Sequence, residues 1–262
     1  MTNTQVTLVQ IDNYGPWTTT PRPRRETDLQ TLQSRLYADL SQFVGVRDGY
    51  VFFTRFDNMV AVTNGLTRAD HERIQETIRN RYPVTVSLSA ATAASPADAL
   101  VEATELLQDA GSAQDGDRTE ILRGEFLSPG RQRPDDVQIA HFDVVDATGT
   151  YTDELDAFAT FRRIEQGYAA LMAHLHERHG GLAFFVGGDN VIAVCPTMAE
   201  TDYAAVVSHV RDTTDIDLRV GVGRGRTASE AGMDAKQALE TGRELDTRVE
   251  CAFPAVGECA TD

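Results

Sequence analysis

Apolar and polar residues in the first half of the chain follow two different periods. Three short apolar runs, residues 6–12, 49–62 and 84–88, have the length and β-branched content of buried strands. The polar pair Asp57-Asn58 interrupts the middle run, which indicates two strands joined by a tight turn. These runs therefore predict four strands, the second and third of which form a hairpin.

Helical periodicity fills the intervals between the strands. Leucines recur at helical spacing after Thr27 and Asp28, which are good N-cap residues, so the first helix is expected to begin near Asp28. A second helix carries Ile74 and Ile78 and breaks before a proline. Ser95-Pro96 provides the N-cap and first residue of a third helix. This half predicts the order β-α-β-β-α-β with a further helix.

The second half of the chain repeats the first. Three segments of the first half have counterparts displaced by 131, 132 and 134 residues, which indicates a duplication: 6–12 with 137–143, 49–62 with 181–194, and 84–96 with 218–230. The fold class predicted is α+β, with two tandem ferredoxin-like domains. We place the domains at 1–125 and 136–262. The linker is expected at about 126–135, where prolines and a glycine break any regular pattern.

Both halves place an aspartate where the first strand ends and another in the hairpin. In a ferredoxin-like sheet the first strand pairs antiparallel with the third, so we expect Asp12 near Asp57 and Asp143 near Asp189. Paired carboxylates repel unless a cation lies between them. Hard oxygen ligands favour Mg²⁺, which proteins hold with one or two carboxylates and substrate phosphates. The alternative is that each Asp-Asn pair is only a turn, and its recurrence at corresponding positions favours a metal site.

Residues near these aspartates are candidates for binding a nucleotide. Backbone amides in the turn after Asp12 suit phosphate groups, and guanidinium groups suit phosphate oxygens. Paired glycines allow a ligand close to the backbone. The candidates are Asn13, Tyr14, Gly15, Trp17, Thr18, Arg24, Arg25, Arg55, Asn58, Gly187, Gly188 and Asn190. The alternatives are a Gly-Pro loop with a buried tryptophan, and arginines that pair with surface acids.

Composition limits the classes of function. The 262 residues are 41% apolar and carry a formal net charge of −16, and 23 of the 24 basic residues are arginine. Such a surface repels nucleic acid and anionic lipid and is typical of salt-adapted proteins; codon bias in a GC-rich genome is the alternative. No apolar stretch long enough for a membrane span and no signal peptide is visible, so a cytoplasmic location is expected. Three cysteines without a CxxC motif favour free thiols over a disulfide scaffold or a zinc site.

Several strings resemble the archaeal GTP cyclohydrolase III family across most of the chain. The densest is QIDNYGPWT at 10–18, and GGDN stands at 187–190. The other strings that carry the resemblance are 23–26, 32–40, 54–58, 73–76, 111–115 and 138–141. The family fold is the palm-like domain of nucleotidyl cyclases and polymerases, present twice, which agrees with the duplication.

The resemblance implies an activity and its cofactors. GTP would be opened at its imidazole ring to 2-amino-5-formylamino-6-(5-phosphoribosylamino)pyrimidin-4(3H)-one, with release of two phosphates, for flavin and deazaflavin synthesis. It implies more than one Mg²⁺ ion, stimulation by K⁺, and a homo-oligomer, either a dimer or a tetramer. The metals map onto Asp12 and Asp57, or onto Asp143 and Asp189. The denser match in the first half favours a metal-bound water held by Asp12 and Asp57, while the general base stays unassigned.

Two other functions remain open at this stage. A nucleotidyl cyclase of the diguanylate type would share the Gly187-Gly188-Asp189 start of the GGDEF signature, but Asn190 replaces the glutamate. A regulatory module would bind GTP without turnover. The second pair of aspartates could form a second site, complete the first site across an interface, or be a relic.

Overall fold

The structure is a computed structural model that describes residues 2–127, 130 and 136–253. The N-terminal half contains β1 (Thr4–Ile11), α1 (Tyr14–Thr19), α2 (Glu26–Gly45), β2 (Tyr50–Phe53), β3 (Asn58–Val62), α3 (Arg68–Arg81), β4 (Val86–Ala93), α4 (Pro96–Gln108) and β5 (Leu122–Gly124). The predicted βαββαβ order with a further helix is therefore confirmed. Two elements were not predicted, the helix α1 and the strand β5, and both are too short to produce a recognisable period.

The C-terminal half repeats this order. It contains β6 (Val137–Val144), a π-helical turn (Thr148–Thr152), α5 (Ala157–His179), β7 (Leu182–Gly187), β8 (Asn190–Cys195), α6 (Glu200–Thr214), β9 (Leu218–Gly225), α7 (Ala228–Leu245) and β10 (Val249–Cys251). The predicted linker at about 126–135 falls between β5 and β6 and lies mostly outside the described residues. The predicted domain bounds consequently stay predictions.

Each half forms its own five-stranded sheet. The strand orders are β2-β3-β1-β4-β5 and β7-β8-β6-β9-β10. The central strand β1 is antiparallel to both β3 and β4, and β6 is antiparallel to β8 and β9. The fifth strand of each sheet is parallel to the fourth, because α4 or α7 crosses between them. The predicted pair of tandem ferredoxin-like, palm-type domains is confirmed.

Capping explains most of the helix starts. The Ser95 side chain accepts from the amide of Asp98 at the start of α4, as predicted, with Pro96 at the first helical position. The start of α2 differs from the prediction, because the helix begins at Glu26 and Arg25 is its N-cap. The Asp28 carboxylate is held by the Arg25 guanidinium at 2.8 Å, so it does not cap the helix.

The two sheets pack face to face, with α4 and α7 between them and the other long helices outside. One core cluster joins β1 and β3 to β6 and β8, and it includes Val6, Val60, Ile139 and Val194, with Ala99 from α4 and Ala231 from α7. Two further clusters fill the space under the outer helices of each half. Gly232 allows α7 to approach the first sheet, since a Cβ at this position would overlap the hydroxyl of Tyr50.

A pseudo-two-fold axis relates the halves. Phe52 and Phe184, which are 132 positions apart, stack with ring centroids 4.3 Å apart and planes 1° from parallel. The amide of Ala97 donates to the carbonyl of Gly180 at 3.0 Å, and the amide of Ser229 donates to the carbonyl of Asp48 at 3.0 Å. These two bonds are equivalent under the same displacement of 132 positions, so the duplication is also a symmetric interface.

Arginine supplies the cation in every ion pair among the described residues, as with Arg47 and Asp70 at 2.9 Å. Most of these pairs lie at the surface, where each contributes about 0–1 kcal/mol. They leave the excess of acids largely uncompensated. Within the described ranges, no helix combines the length and the apolar composition that a membrane crossing requires.

Repulsion among the acidic side chains predicts that the stability of the fold depends on salt. At a net charge of −16 the acids repel one another, and salt shortens the Debye length from about 10 Å at 0.1 M to about 3 Å at 1 M. We expect the melting temperature to rise by roughly 5 °C or more between about 0.1 M and 2 M KCl. Circular dichroism against temperature measures this rise, and a flat or falling curve would contradict the electrostatic explanation.

Candidate active site

The register of β1 with β3 brings the predicted aspartates together. Gln10 lies opposite Asn58, and the amide of Ile11 donates to the carbonyl of Asp57 at 2.9 Å. Asp12 directly follows β1 and Asp57 directly precedes β3. Because these strands are paired, both aspartates lie at the same edge of the sheet. In the second sheet Phe142 lies opposite Val191, which places Asp143 beside Asp189. The two aspartates are therefore backbone neighbours in both halves, as expected, and metal binding stays a prediction.

Asp12 is a buried carboxylate with many partners. Thr85 Oγ1 and the amide of Glu120 donate to its Oδ2 at 2.8 and 2.9 Å, and Ser87 Oγ donates to Oδ1. Arg118 Nη1 lies 3.6 Å from Oδ1, and the Arg118 side chain is only 4% exposed. A carboxylate offers about four lone-pair positions. A cation reaching this side chain would therefore have to replace one of these partners.

Two oxygens beside Asp12 have no hydrogen-bond partner. They are Oδ1 of Asn13 and Oδ1 of Asp57, and both atoms are buried. Asn13 has left-handed backbone, with φ 49°. The other Asp57 oxygen accepts from Arg55 Nη2 at 3.2 Å. Orphaned buried oxygens are costly and indicate a water or an ion, and carboxylate and amide oxygens are ligands that suit Mg²⁺. The residues present therefore fit a cation at this edge.

The C-terminal half neutralises its carboxylates in a different way. Arg243 Nη2 on α7 binds Asp143 Oδ2 at 2.7 Å, and this bond raises the pKa of the guanidinium. Burial, and next the charge of Asp143, raise the pKa of Asp189. A cation from the chain itself thus lies against one of the two carboxylates. Among the described residues there is no cluster of three or more metal-ligating acidic, histidine or cysteine side chains in either half.

The two hairpins also differ in the size of the side chains in their turns. In the C-terminal half Gly187 and Gly188 have φ of 113° and 65°, and no heavy atom lies within 4 Å of a Cβ built on Gly187. The predicted open approach to the backbone is present there. The N-terminal hairpin instead carries Arg55 and Phe56, and the Phe56 ring stacks on Phe53 at 4.4 Å.

A hydrogen-bonded pair of amide side chains in one half corresponds to a histidine–asparagine pair in the other. Gln10 Nε2 donates to Asn58 Oδ1 at 3.0 Å, whereas His141 Nε2 lies 2.9 Å from Asn190 Oδ1. Burial lowers the pKa of His141, so the ring favours its neutral form. Both substrate-binding candidates at these positions, Asn58 and Asn190, are therefore already hydrogen-bonded across the strands.

The predicted turn after Asp12 is present at Asp12-Asn13 and leads directly into the short helix α1, which the sequence did not predict. Tyr14 stacks on Trp17 with centroids 6.0 Å apart, and the Tyr14 hydroxyl accepts from Gln33 at 2.7 Å. Gly15 and Thr18 are joined by a hydrogen bond from the Thr18 hydroxyl to the Gly15 carbonyl at 2.7 Å. The tryptophan is half-buried, so the alternative of a tryptophan packed in a Gly-Pro loop is correct in part.

The neighbouring arginines have different surroundings. The Arg24 guanidinium lies 3.9 Å over the Trp17 ring, and its Nε donates to the Trp17 carbonyl at 2.8 Å. Arg25 pairs with Asp28 at the surface, which is the alternative considered for it. Arg24 is thus held near the end of β1 without an acidic partner among the ion pairs of the described residues, whereas Arg25 is neutralised.

Two cavities open at this edge of the first sheet. One of about 220 Å³ is lined by Asp12, Asn13, Trp17 and Thr85, among others. The larger, of about 550 Å³, lies between the β1–β3 face and α4, with Gln10, Arg55 and Asn58 in its wall. Space for a ligand therefore adjoins Asp12 in the smaller cavity, and Asn58, the chain neighbour of Asp57, in the larger one. Sequence reasoning missed Arg118 and Arg243, whose distant positions in the chain give no signal of their partners.

Comparisons with known proteins decide the family. The family model for GTP cyclohydrolase III matches residues 6–252. The chain belongs to the GTP cyclohydrolase III family. GTP cyclohydrolase III 1 of Halobacterium salinarum is 69% identical over 250 residues, covering 95% of this chain and 98% of the relative. GTP cyclohydrolase III of Natronomonas pharaonis is 65% identical over 252 residues, covering 96% and 100%.

A more distant relative agrees. GTP cyclohydrolase III of Methanocaldococcus jannaschii is 47% identical over 249 residues, covering 94% of this chain and 91% of the relative. The chain is therefore an enzyme of the GTP cyclohydrolase type, and its halophilic relatives agree with the acidic, arginine-rich composition. An EAL/GGDEF domain protein from M. capsulatus aligns at 15% identity and a TM-score of 0.39, covering 49% of this chain and 90% of that protein.

The orphaned oxygens predict which half binds a divalent cation. Asp57→Asn or Asn13→Ala should weaken Mn²⁺, used as a paramagnetic stand-in for Mg²⁺, by about tenfold or more. The first removes the negative charge of a carboxylate and one of its two oxygens, and the second removes an amide oxygen. Electron paramagnetic resonance titration of free Mn²⁺ measures the affinity. Asp189→Asn, the matched change in the other half, should leave it unchanged; the reverse pattern would move the cation to the C-terminal half.

The arginine surroundings predict unequal roles. Arg24→Ala and Arg55→Ala should weaken GTP about tenfold or more, since a charge-assisted hydrogen bond to phosphate contributes roughly 1.5–3 kcal/mol. Guanosine, which has no phosphate, should change less than threefold. Arg25→Ala should have the smallest effect, because Asp28 already holds that guanidinium. Isothermal calorimetry compares the ligands, and equal losses for GTP and guanosine would contradict a phosphate role.

Proposed function

We propose that the chain opens the imidazole ring of GTP in a Mg²⁺-dependent reaction, at the edge formed by Asp12, Asn13 and Asp57. The observation that carries the proposal is the pair of orphaned oxygens on Asn13 and Asp57, beside two cavities, in a member of the GTP cyclohydrolase III family. The product would be the 2-amino-5-formylamino-6-(5-phosphoribosylamino)pyrimidin-4(3H)-one, with two phosphates released. That product would feed flavin and deazaflavin cofactor synthesis.

Each part of the edge has a task in this proposal. Asn13 and Asp57 would hold the cation through their unpartnered oxygens, and bound Mg²⁺ would supply charge neutralisation at the triphosphate and Lewis-acid activation of water. Arg24, fixed against Trp17, would bind phosphate oxygens from one side. Arg55 would exchange its exposed pairing with Asp57 for a phosphate, a change that costs little at a surface.

Asp12 has a different task from Asp57. Because its carboxylate accepts from Thr85, Ser87 and the Glu120 amide and neighbours a buried arginine, it fixes the position of the β4 end and of residues 118–120 around the site. Asp12→Asn would leave the Arg118 guanidinium buried without its countercharge, which destabilises a fold strongly. Asp57→Asn is therefore the variant that tests chemistry without testing folding.

One incubation distinguishes the proposed reaction from its alternatives. We expect the purified protein, with GTP and Mg²⁺ in about 2 M KCl, to release two phosphates per GTP and to lose the purine absorbance. Asp57→Asn should abolish both signals, Asp189→Asn should keep them, and replacing KCl by NaCl should lower the rate. Pyrophosphate with an intact purine would indicate a nucleotidyl cyclase, and unchanged GTP would indicate a nucleotide-sensing module; either result overturns the proposal.

A further inference from the structure

His71 on α3 is a fully buried histidine with both ring nitrogens engaged. Its Nδ1 lies 2.7 Å from the carbonyl oxygen of Thr67, and its Nε2 lies 2.8 Å from the hydroxyl of Thr7. A carbonyl oxygen only accepts hydrogen bonds, so Nδ1 carries the proton of the neutral ring and Nε2 accepts from Thr7. The neighbours of the ring therefore select one tautomer.

A directed chain of hydrogen bonds connects this ring to the segment that follows β5. Because the Thr7 proton is bound to His71, the Thr63 hydroxyl donates to Thr7 at 2.8 Å. Gln5 Nε2 donates to the hydroxyl and the carbonyl of Thr63 at 2.9 and 2.6 Å, so Gln5 Oε1 is left to accept from the amide of Leu127 at 2.6 Å. Each group donates toward the histidine, and the neutral ring is the last acceptor.

The segment after β5 also covers the histidine. The Phe126 ring lies against the His71 ring, with centroids 4.7 Å apart. Phe126 and Leu127 are half-buried and belong to no helix or strand, whereas the other members of the chain lie on or next to β1, β3 and α3. These two residues can therefore move without breaking the sheet, and we call them the latch.

A second proton on the His71 ring leaves the chain one acceptor short. The charged ring donates from Nε2 as well, so one hydroxyl proton of Thr7 or Thr63 has no acceptor among the hydrogen bonds of the described residues. A buried donor without a partner and a buried charge are both costly. Burial, the largest cause, accordingly lowers the pKa of His71.

The charges around the ring do not remove this cost. Asp70 and Arg68 on the same helix act on the ring with opposite signs, and Asp70 is already paired with Arg47 at 2.9 Å. The groups that touch the ring from β1, from the segment between β3 and α3, and from the segment after β5 are uncharged. Water that enters when Phe126 moves away would supply both solvation and the missing acceptor.

The duplication shows the same arrangement without a group that titrates near neutral pH. Tyr203 stands at the position of His71 displaced by 132 residues, and its hydroxyl accepts from Gln138 Nε2 at 2.8 Å. Gln138 Oε1 accepts from the amide of Met198 at 3.4 Å. Burial, the largest cause, raises the pKa of Tyr203 well above its ordinary value. The fold therefore does not require a histidine at this place.

We propose that His71 and the latch form a pH-sensitive device, in which the neutral ring holds Phe126 and Leu127 against α3 and β1, and proton uptake by the ring releases them. The closed latch favours the neutral ring. Its stabilising contribution is therefore complete above the ordinary histidine pKa of about 6.5 and is lost as the pH falls through the lower pKa of the closed state. Acid would loosen the chain where it leaves the first sheet for the second.

Hydrogen exchange in the full-length protein reports the state of the latch. In about 2 M KCl, the protection factor of the Leu127 amide should fall about tenfold or more between about pH 8 and pH 5, whereas that of the Met198 amide should change less than about threefold. Nitrogen-15 spectra of labelled histidine should show Nδ1 of His71 protonated and Nε2 unprotonated at the higher pH. Unchanged protection of Leu127, an equal fall at both amides, or the opposite tautomer would overturn the proposal.

Two variants test the coupling from its two ends. His71→Gln keeps a donor and an acceptor but cannot titrate, so the fall in Leu127 protection should shrink below about threefold. Phe126→Ala opens the latch, so by linkage the pKa of His71, measured by NMR of its ring protons, should rise toward its ordinary value. Phe161→Ala, the matched change at an exposed phenylalanine of α5, should leave that pKa unchanged. A tenfold fall that persists in His71→Gln, or an unchanged His71 pKa in Phe126→Ala, overturns the latch.

Discussion

The placement of β1 at the centre of its sheet determines where the charged groups of the N-terminal half lie. Hydrogen bonds to β3 on one side and to β4 on the other fix its end in two directions. A slip by one residue would turn Asp12 to the opposite face of the sheet, away from the donors of Thr85 and Ser87. The same slip would move Val9 and Ile11 out of the core under α2 and α3. Hydrophobic burial therefore holds the acidic edge in place.

The strands, the long helices and the duplication could all be predicted from the sequence, because each depends on a local period. The proximity of Asp12 to Asp57 could also be predicted, since topology alone carries it. The partner of each carboxylate could not be predicted from the sequence. Arg118 reaches Asp12 from a segment with no regular structure, and Arg243 reaches Asp143 across 100 positions. Only three-dimensional packing shows that an arginine from a distant helix holds Asp143, while Asp57 keeps a buried oxygen without a partner.

Local competition explains the smaller differences. Asp28 is a good capping residue, but its carboxylate accepts a hydrogen bond from Arg25 instead of capping the helix. The helix α2 therefore begins earlier than its sequence indicates. The residues after Asp12 include glycine and proline, yet stacking between Tyr14 and Trp17 accompanies a short helix there. In both places side-chain contacts decide among conformations that backbone propensity leaves close in energy.

The stacked rings of Phe52 and Phe184 lie on the axis that relates the halves, where a residue meets its own counterpart. In an assembly of two identical chains, any substitution at such a place occurs on both sides of the contact at once. Covalent joining of the halves removes that restriction, because one ring can change while the other stays. The same independence extends away from the axis. There the position equivalent to Phe56 is Gly188, and the position equivalent to Thr27 is Phe158. Fusion thus turns a symmetric scaffold into two surfaces on which selection acts separately.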